Sequence, residues 1–232
     1  MNLIELILGP YHLFNWVADF VFHTLATLFQ LYGAPIVFLA ATAEATVGLG
    51  LLVPGVIMIF LAGAYAREEQ ASIVWMFTVA TTGTLIGDTV SYAFGRWGGE
   101  RVRGTRFGPA LRMGEALVSG HARWLIPFYH LNSVSRTLGP FGAGALRMPL
   151  RIWMPLDYFG AVVANAIWIG AGAIFGRALL QPDGTLADYP PLRIGLVLAL
   201  VFYAFIIRNE MKKARRQREA DRRLHAVPPP SE

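Results

Sequence analysis

PIVFLAATAEATVGLGLLVPGVIMIFLAGAYA, residues Pro35 to Ala66, is the stretch on which the architecture turns. It is apolar throughout except for a few threonines and one carboxylate, Glu44. A membrane-spanning helix needs about 20 residues at 1.5 Å rise each, so the stretch is too long for one crossing and too short for two plus a turn. Its middle holds Gly48-Leu49-Gly50 and then Pro54-Gly55, residues that break helices. A re-entrant helical hairpin meets these conditions: one arm from Ile36 to about Val47, a bent tip, and a return arm to Ala66. Irregular backbone at bilayer depth is tolerated only when buried in protein or lining a wet cavity. A charge there is disfavoured by roughly 2.5–3.5 kcal/mol, so Glu44 is expected to face protein or water.

The rest of the composition agrees. The chain has 232 residues, of which 55% are hydrophobic and only 15% charged, whereas a soluble domain carries about 25% charge. It has no cysteine, which excludes disulfides, thiol catalysis and cysteine-based metal sites. The net charge of +5 is concentrated in Arg96 to Arg123 and Arg208 to Arg223. Basic segments flanking apolar spans mark the cytoplasmic side, so they predict topology and no nucleic-acid partner. The basic tail could also bind anionic lipid. The N-terminus lacks a basic region and a small-residue cleavage site, so the first span is expected to stay in the mature protein.

Trp16 to Tyr32 is expected to form a first helix, spanning or oblique, with Asp19 snorkelling to the interface. The loop Arg67-Glu68-Glu69-Gln70 marks a water interface. Ile73 to Phe94 should span and end at Gly95-Arg96. A short interfacial helix is expected around Pro109 to Leu117. Leu125 to Leu146 holds His130, Asn132, Ser133, Ser135 and Arg136, then Gly139-Pro140 and Gly142-Ala143-Gly144, and reads as a second re-entrant hairpin. Trp153 to Phe175 and Leu192 to Ile207 are the remaining spans. The predicted fold is all-α: a polytopic membrane protein with two opposed re-entrant hairpins and about four spanning helices. Residues 1–207 make a single transmembrane domain, and 208–232 a basic cytoplasmic tail with a disordered end. With both termini cytoplasmic, parity sends the two hairpins in from opposite faces, the layout of an inverted-repeat transporter.

Arg136 is the second charge inside an apolar stretch, and the two tips can bring it to Glu44. Its planar fork suits a phosphate, with Ser133, Ser135, Thr137 and free backbone N–H groups beside it. Glu44 would be its counter-ion or a protonatable carboxylate; alternatively the two form a structural ion pair. His130 is either a proton relay or an ordinary hydrogen-bonding residue. Asp88 and Tyr92 share a helix face, and Asp88 either joins a proton path or anchors a hairpin. Trp16, Trp75, Trp153 and Trp168 read as belt or packing aromatics. No enzyme motif is present and the five histidines are scattered, so neither catalysis, nor a metal, nor a cofactor is expected.

Three blocks resemble the DedA family, also described by its VTT (SNARE-associated) domain. They are Glu44 followed by Pro54-Gly55; then Gly87-Asp88-x-x-x-Tyr92-x-x-Gly95-Arg96-x-x-Gly99; then Arg136-Thr137-x-x-Pro140-x-x-Ala143-Gly144-x-x-x-Met148-Pro149 with Trp153, Gly160 and Trp168. The resemblance covers roughly Pro35 to Gly176. It implies a bacterial inner-membrane protein that moves undecaprenyl phosphate or a related phospholipid across the bilayer, with protons as a possible partner. Glu44 matches the family's first-hairpin acid and Arg136 the second arginine of its second hairpin. Two positions depart: Val56 stands where many members carry an acid, and His130 stands where the pattern Arg-Phe-x-Pro-Gly-x-Arg begins. Three functions from different classes follow: a lipid translocase, a proton-coupled exporter of small ions or drugs, and a non-transporting membrane scaffold.

Overall fold

Two long helices organise the structure, a computed structural model that describes residues 3–50, 52–68, 72–105, 108–118 and 120–179. Eight α-helices occur among these residues: α1 (Leu3–Tyr32), α2 (Ala34–Ala45), α3 (Gly55–Glu68), α4 (Ile73–Arg103), α5 (Gly108–Val118), α6 (Ile126–Tyr129), α7 (Ser133–Ala145) and α8 (Leu150–Leu179). A 3₁₀ segment, Gly120–Leu125, leads into α6. No strand occurs among the described residues. Asp19–Ala187 forms one compact unit, and the residues before Asp19 belong to a separate one.

Among the described residues, α4 and Leu150–Gly176 of α8 are long and apolar enough to cross a membrane. At 1.5 Å per residue α4 is about 46 Å long, more than the roughly 30 Å hydrocarbon core. Two such helices are fewer than the four spans expected. The last expected span, Leu192–Ile207, the basic tail and Glu69-Gln70 lie outside the described residues.

The two long helices run antiparallel, because Thr81 and Thr84 of α4 meet Asn165 of α8 while Thr89 meets Tyr158. Shorter helices cover them in halves. On the first half of α4, Gly83 and Gly87 lie against the carbonyls of Phe38 and Thr42 in α2. On its second half, Gly95 and Gly99 receive Phe141 and Ala145 of α7. On α8, Gly160 lies against Pro127 and His130 at the start, and Gly172 and Gly176 against Phe60 and Ala64 of α3 at the end. The pattern is an inverted repeat. In each repeat the first short helix (α2 or α6) covers the near half of its own long helix. The return helix (α3 or α7) covers the far half of the other repeat's long helix.

Glycine makes this packing possible, since a Cβ at Gly87, Gly95 or Gly144 would run into facing backbone. It also explains why α4 continues past Gly95-Arg96 to Arg103. Gly95 and Gly99 act as contact points for α7, and the last turn is tied to α5 by the Arg103–Glu115 ion pair at 2.5 Å.

The break between α2 and α3 falls where the sequence placed it, over Thr46–Pro54. Ser91 of α4 secures the break: its hydroxyl donates to Ala45 C=O at 2.8 Å and accepts from Val47 N–H at 2.7 Å. The return arm runs on to Glu68, so Arg67 and Glu68 belong to α3 and not to a loop. Around the second break the first arm is short, with only the 3₁₀ segment and one turn of α6 before His130–Asn132. Asn132 caps α7 by accepting from Ser135 N–H at 3.2 Å. Pro140 sits inside α7 and leaves the Arg136 carbonyl without its helical N–H partner. The expected short helix near Pro109 is α5.

Apolar packing is strongest where α1 joins. Leu25, Ala26 and Phe29 are buried with Val37, Met58, Leu61 and Tyr65, and Phe29 stacks on Tyr65 at 5.1 Å. Gly33, with φ +59°, turns the chain from α1 into α2. Elsewhere the polarity of a soluble protein is reversed. Leu39, Val74, Phe94, Phe159, Ile167 and Ile174 face outward, while Glu44, Asp88, Arg136, Asp157 and Asn165 are buried. Such an exterior is suited to hydrocarbon. Trp16 and Trp75 are exposed, whereas Trp153 is fully buried and stacks on Tyr92 at 4.4 Å.

Candidate functional site: a buried charge cluster at mid-helix

Asp88 is the middle residue of α4, about 22 Å from either end. Around it the two helix breaks deliver their charges. Glu44 comes from the last turn of α2, and Arg136 from the first turn of α7. Arg136 is 0% exposed and Glu44 2%. The Arg136 Nη1 lies 3.4 Å from Glu44 Oε2, and Nη2 lies 3.4 Å from Thr84 Oγ1. Both contacts are long beside the 2.7–2.9 Å of a well-formed charge-assisted bond, and Nε has no partner. The guanidinium is therefore enclosed but poorly satisfied.

Backbone closes around Glu44. The Val56 N–H bonds to its carboxylate, and a Cβ at Gly55 would lie 2.7 Å from Glu44 Oε2. Pro54-Gly55 thus brings the start of α3 onto the acid. Val56 serves Glu44 through its main chain. Thr137 Oγ1 donates to the Glu44 carbonyl at 3.3 Å, which ties the second break to the first. Thr84 accepts from Asn165 Nδ2 at 3.1 Å, which joins α8 to the same network.

A second group of charges lies beside the first. His130, in the turn between α6 and α7, places Nε2 3.3 Å from Asp157 Oδ1 in α8. Tyr129 donates its hydroxyl to the same oxygen and accepts from Trp153 Nε1 at 3.3 Å. Asp88 is buried, neither of its oxygens has a hydrogen-bond partner, and it lies within electrostatic reach of Asp157, Arg136 and Glu44.

Glu44, Asp88, Arg136, Thr137 and His130 therefore gather in one interior region. Ser135 does not point its hydroxyl at Arg136; it donates to the carbonyls of Tyr129 and Asn132 at 2.8 and 3.1 Å. Ser133 is the first residue of α7, and its side chain is outside the described set. The motif residue Tyr92, one turn beyond Asp88 on α4, stacks on Trp153. Tyr92 donates to Met148 C=O at 2.5 Å and receives Arg96 Nη1 at 3.3 Å, bracing the α7–α8 link. Pro140 and Gly144 shape α7 against α4.

Asp157 was missed from sequence. It lies in a predicted span, 69 residues from Asp88 in the other repeat and 27 from His130 in its own, so no local spacing joined the three. The scattered histidines gave no ligand spacing for the same reason. The signal available was a further acid within an apolar span, after Glu44 and Asp88, itself a functional hint.

A family model described as the VTT domain matches residues 53–174. Protein DedA of Escherichia coli (strain K12) is 25% identical over 218 residues, covering 88% of this chain and 98% of the relative. An "Uncharacterized membrane protein BU139" of Buchnera aphidicola subsp. Acyrthosiphon pisum (strain APS) is 21% identical over 206 residues, covering 87% and 78%. An "Alkaline phosphatase-like protein" of Lactococcus lactis subsp. cremoris (strain MG1363) is 22% identical over 161 residues, covering 65% and 75%. No solved structure matches at a comparable level.

Proposed function

The chain belongs to the VTT domain family as a divergent DedA-family membrane protein, and from that premise we propose that it translocates a phosphate-headed lipid across the bacterial inner membrane. The substrate is undecaprenyl phosphate or a related phospholipid. The α2–α3 and α6–α7 breaks are the tips of two re-entrant hairpins that enter from opposite faces. The observation that carries the proposal is the buried guanidinium of Arg136, held by two long contacts and with Nε unpaired. A phosphate offers such a fork two parallel short bonds in place of two long ones.

In the structure the site is occluded, so binding requires the tips to part. Glu44 is the competitor for Arg136. A proton on Glu44 releases the guanidinium to the head group, and its loss drives the anion off again. The lipid tail stays in the bilayer, against the apolar exteriors of α4 and α8. Inverted repeats rocking about a midplane site give alternating access without any covalent step.

Transport of undecaprenyl phosphate in proteoliposomes tests this. Arg136→Ala and Glu44→Gln are expected to slow transport at least about tenfold, the loss of a single charged contact of some 1.4 kcal/mol or more. Unchanged rates in both variants would reject the mechanism. Complete burial of Arg136 also suits a scaffold in which the ion pair only locks the breaks together. In that case both variants lower thermal stability and lipid movement is untouched.

A further inference from the structure

Among the described residues of this interior, three carboxylates (Glu44, Asp88 and Asp157) face one guanidinium, Arg136. With all four ionised and His130 neutral, two negative charges are left uncompensated inside a low-dielectric region. Such an excess costs several kcal/mol per ion, and it is relieved either by protons on the carboxylates or by a bound cation.

The excess is not spread evenly. Glu44 has Arg136, and the remainder falls on Asp88 and Asp157. Between them stands His130. One ligand atom from each of Asp88, His130 and Asp157 lies within 4.8 Å of the others. All three residues are at most 1% exposed. Both oxygens of Asp88, the Oδ2 of Asp157 and the Nδ1 of His130 have no hydrogen-bond partner. The Nε2 of His130 sits within ion-pair distance of Asp157 Oδ1 but forms no hydrogen bond, so whichever ring nitrogen carries the lone pair is open to a cation. Tyr129 fixes Asp157 through Oδ1, which leaves Oδ2 free, as the outer-shell donors of metal-binding carboxylates do. A cation 2.0–2.2 Å from each ligand needs them about 3–4 Å apart. The side chains would therefore close by an ångström or so.

We propose that Asp88, His130 and Asp157 bind one divalent transition-metal cation at the junction of the two repeats. One imidazole nitrogen and two carboxylate oxygens are the donor set of Zn²⁺ or Mn²⁺, while a nitrogen ligand disfavours Mg²⁺. A double charge cancels the excess, and the ion links the middle of α4, the α6–α7 turn and the first half of α8. The site is separate from the Arg136 fork and does not rest on lipid transport.

The test uses the full-length protein in detergent, stripped with chelator and then titrated with ZnCl₂ or MnCl₂ alone. We expect one equivalent of metal retained after desalting, a melting temperature raised by several degrees, and nitrogen coupling to bound Mn²⁺ in pulsed electron paramagnetic resonance. Asp88→Asn and His130→Gln should weaken binding at least about tenfold, and His130→Gln should remove the nitrogen coupling. His23→Gln, at an exposed position of α1 outside the cluster, should leave metal binding unchanged. Arg136→Ala should keep its metal even where it no longer moves lipid, which separates this site from the transport mechanism. Wild-type protein that retains no stoichiometric metal and melts at the same temperature with either ion overturns the proposal. So does retention unaltered in His130→Gln. If Asp88→Asn does not fold, the wild-type stoichiometry and spectrum still decide.

Discussion

A buried charge is informative because of what removing its partner leaves behind. In Arg136→Ala, Glu44 stays enclosed with only the Val56 N–H for compensation, and loss of one partner of a buried pair typically costs about 3–5 kcal/mol. The double variant Arg136→Ala/Glu44→Gln removes both charges, so thermal unfolding in detergent should find it more stable than Arg136→Ala alone. A double variant no better than the single would mean that the pair does not interact. Gly55→Ala is a complementary probe. Its methyl group would lie 2.7 Å from both Glu44 Oε2 and Ala40 C=O, an overpacking worth about 1–3 kcal/mol. At this scale Glu44 and Arg136 were legible from charge and hydropathy alone. The hydroxyls were not. Their neighbours in sequence do not reveal that Ser135 bonds backbone in its own turn and Thr137 the carbonyl of Glu44.

Among elements, contact between helices depends on which glycines face a neighbour. Gly144 presses on the Tyr92 carbonyl, whereas Gly98 on the same α4–α7 assembly has open space. Gly144→Ala should therefore destabilise by about 1–3 kcal/mol, and Gly98→Ala should be neutral or slightly stabilising, since alanine is the better helix former. Equal melting temperatures would show that the close approach is not needed. The helix break at Gly48–Gly55 was readable because Gly and Pro act locally, whereas the second break falls at His130–Asn132, ahead of Arg136, and Pro140 stands inside α7. The end of α4 was misjudged at Gly95. A glycine that serves packing and one that stops a helix look identical until the facing helix is known.

For the whole molecule, the inverted repeat makes a topological claim that a chain without cysteine can test cleanly. A single cysteine at Gly98 should label from the cytoplasmic side and one at Ser72 from the opposite side, using impermeant thiol reagents on intact cells and inverted vesicles. Labelling of both from one side would remove the antiparallel hairpins and with them the alternating-access scheme.

Composition, periodicity and the placing of Gly, Pro and lone charges were enough to establish an all-helical membrane protein with two interrupted segments and a polar interior. These are local properties of the chain, and the bilayer acts on them segment by segment. The exchange of return arms, which sets α3 on α8 and α7 on α4, is invisible in any one segment. Antiparallel packing of α4 and α8 brings Asp157 and His130 of one repeat to Asp88 of the other, and the exchange exists only because the two long helices offer glycine-lined halves to each other's partners. Proximity between distant residues is a property of packing, and packing is where the charge cluster acquires its chemistry.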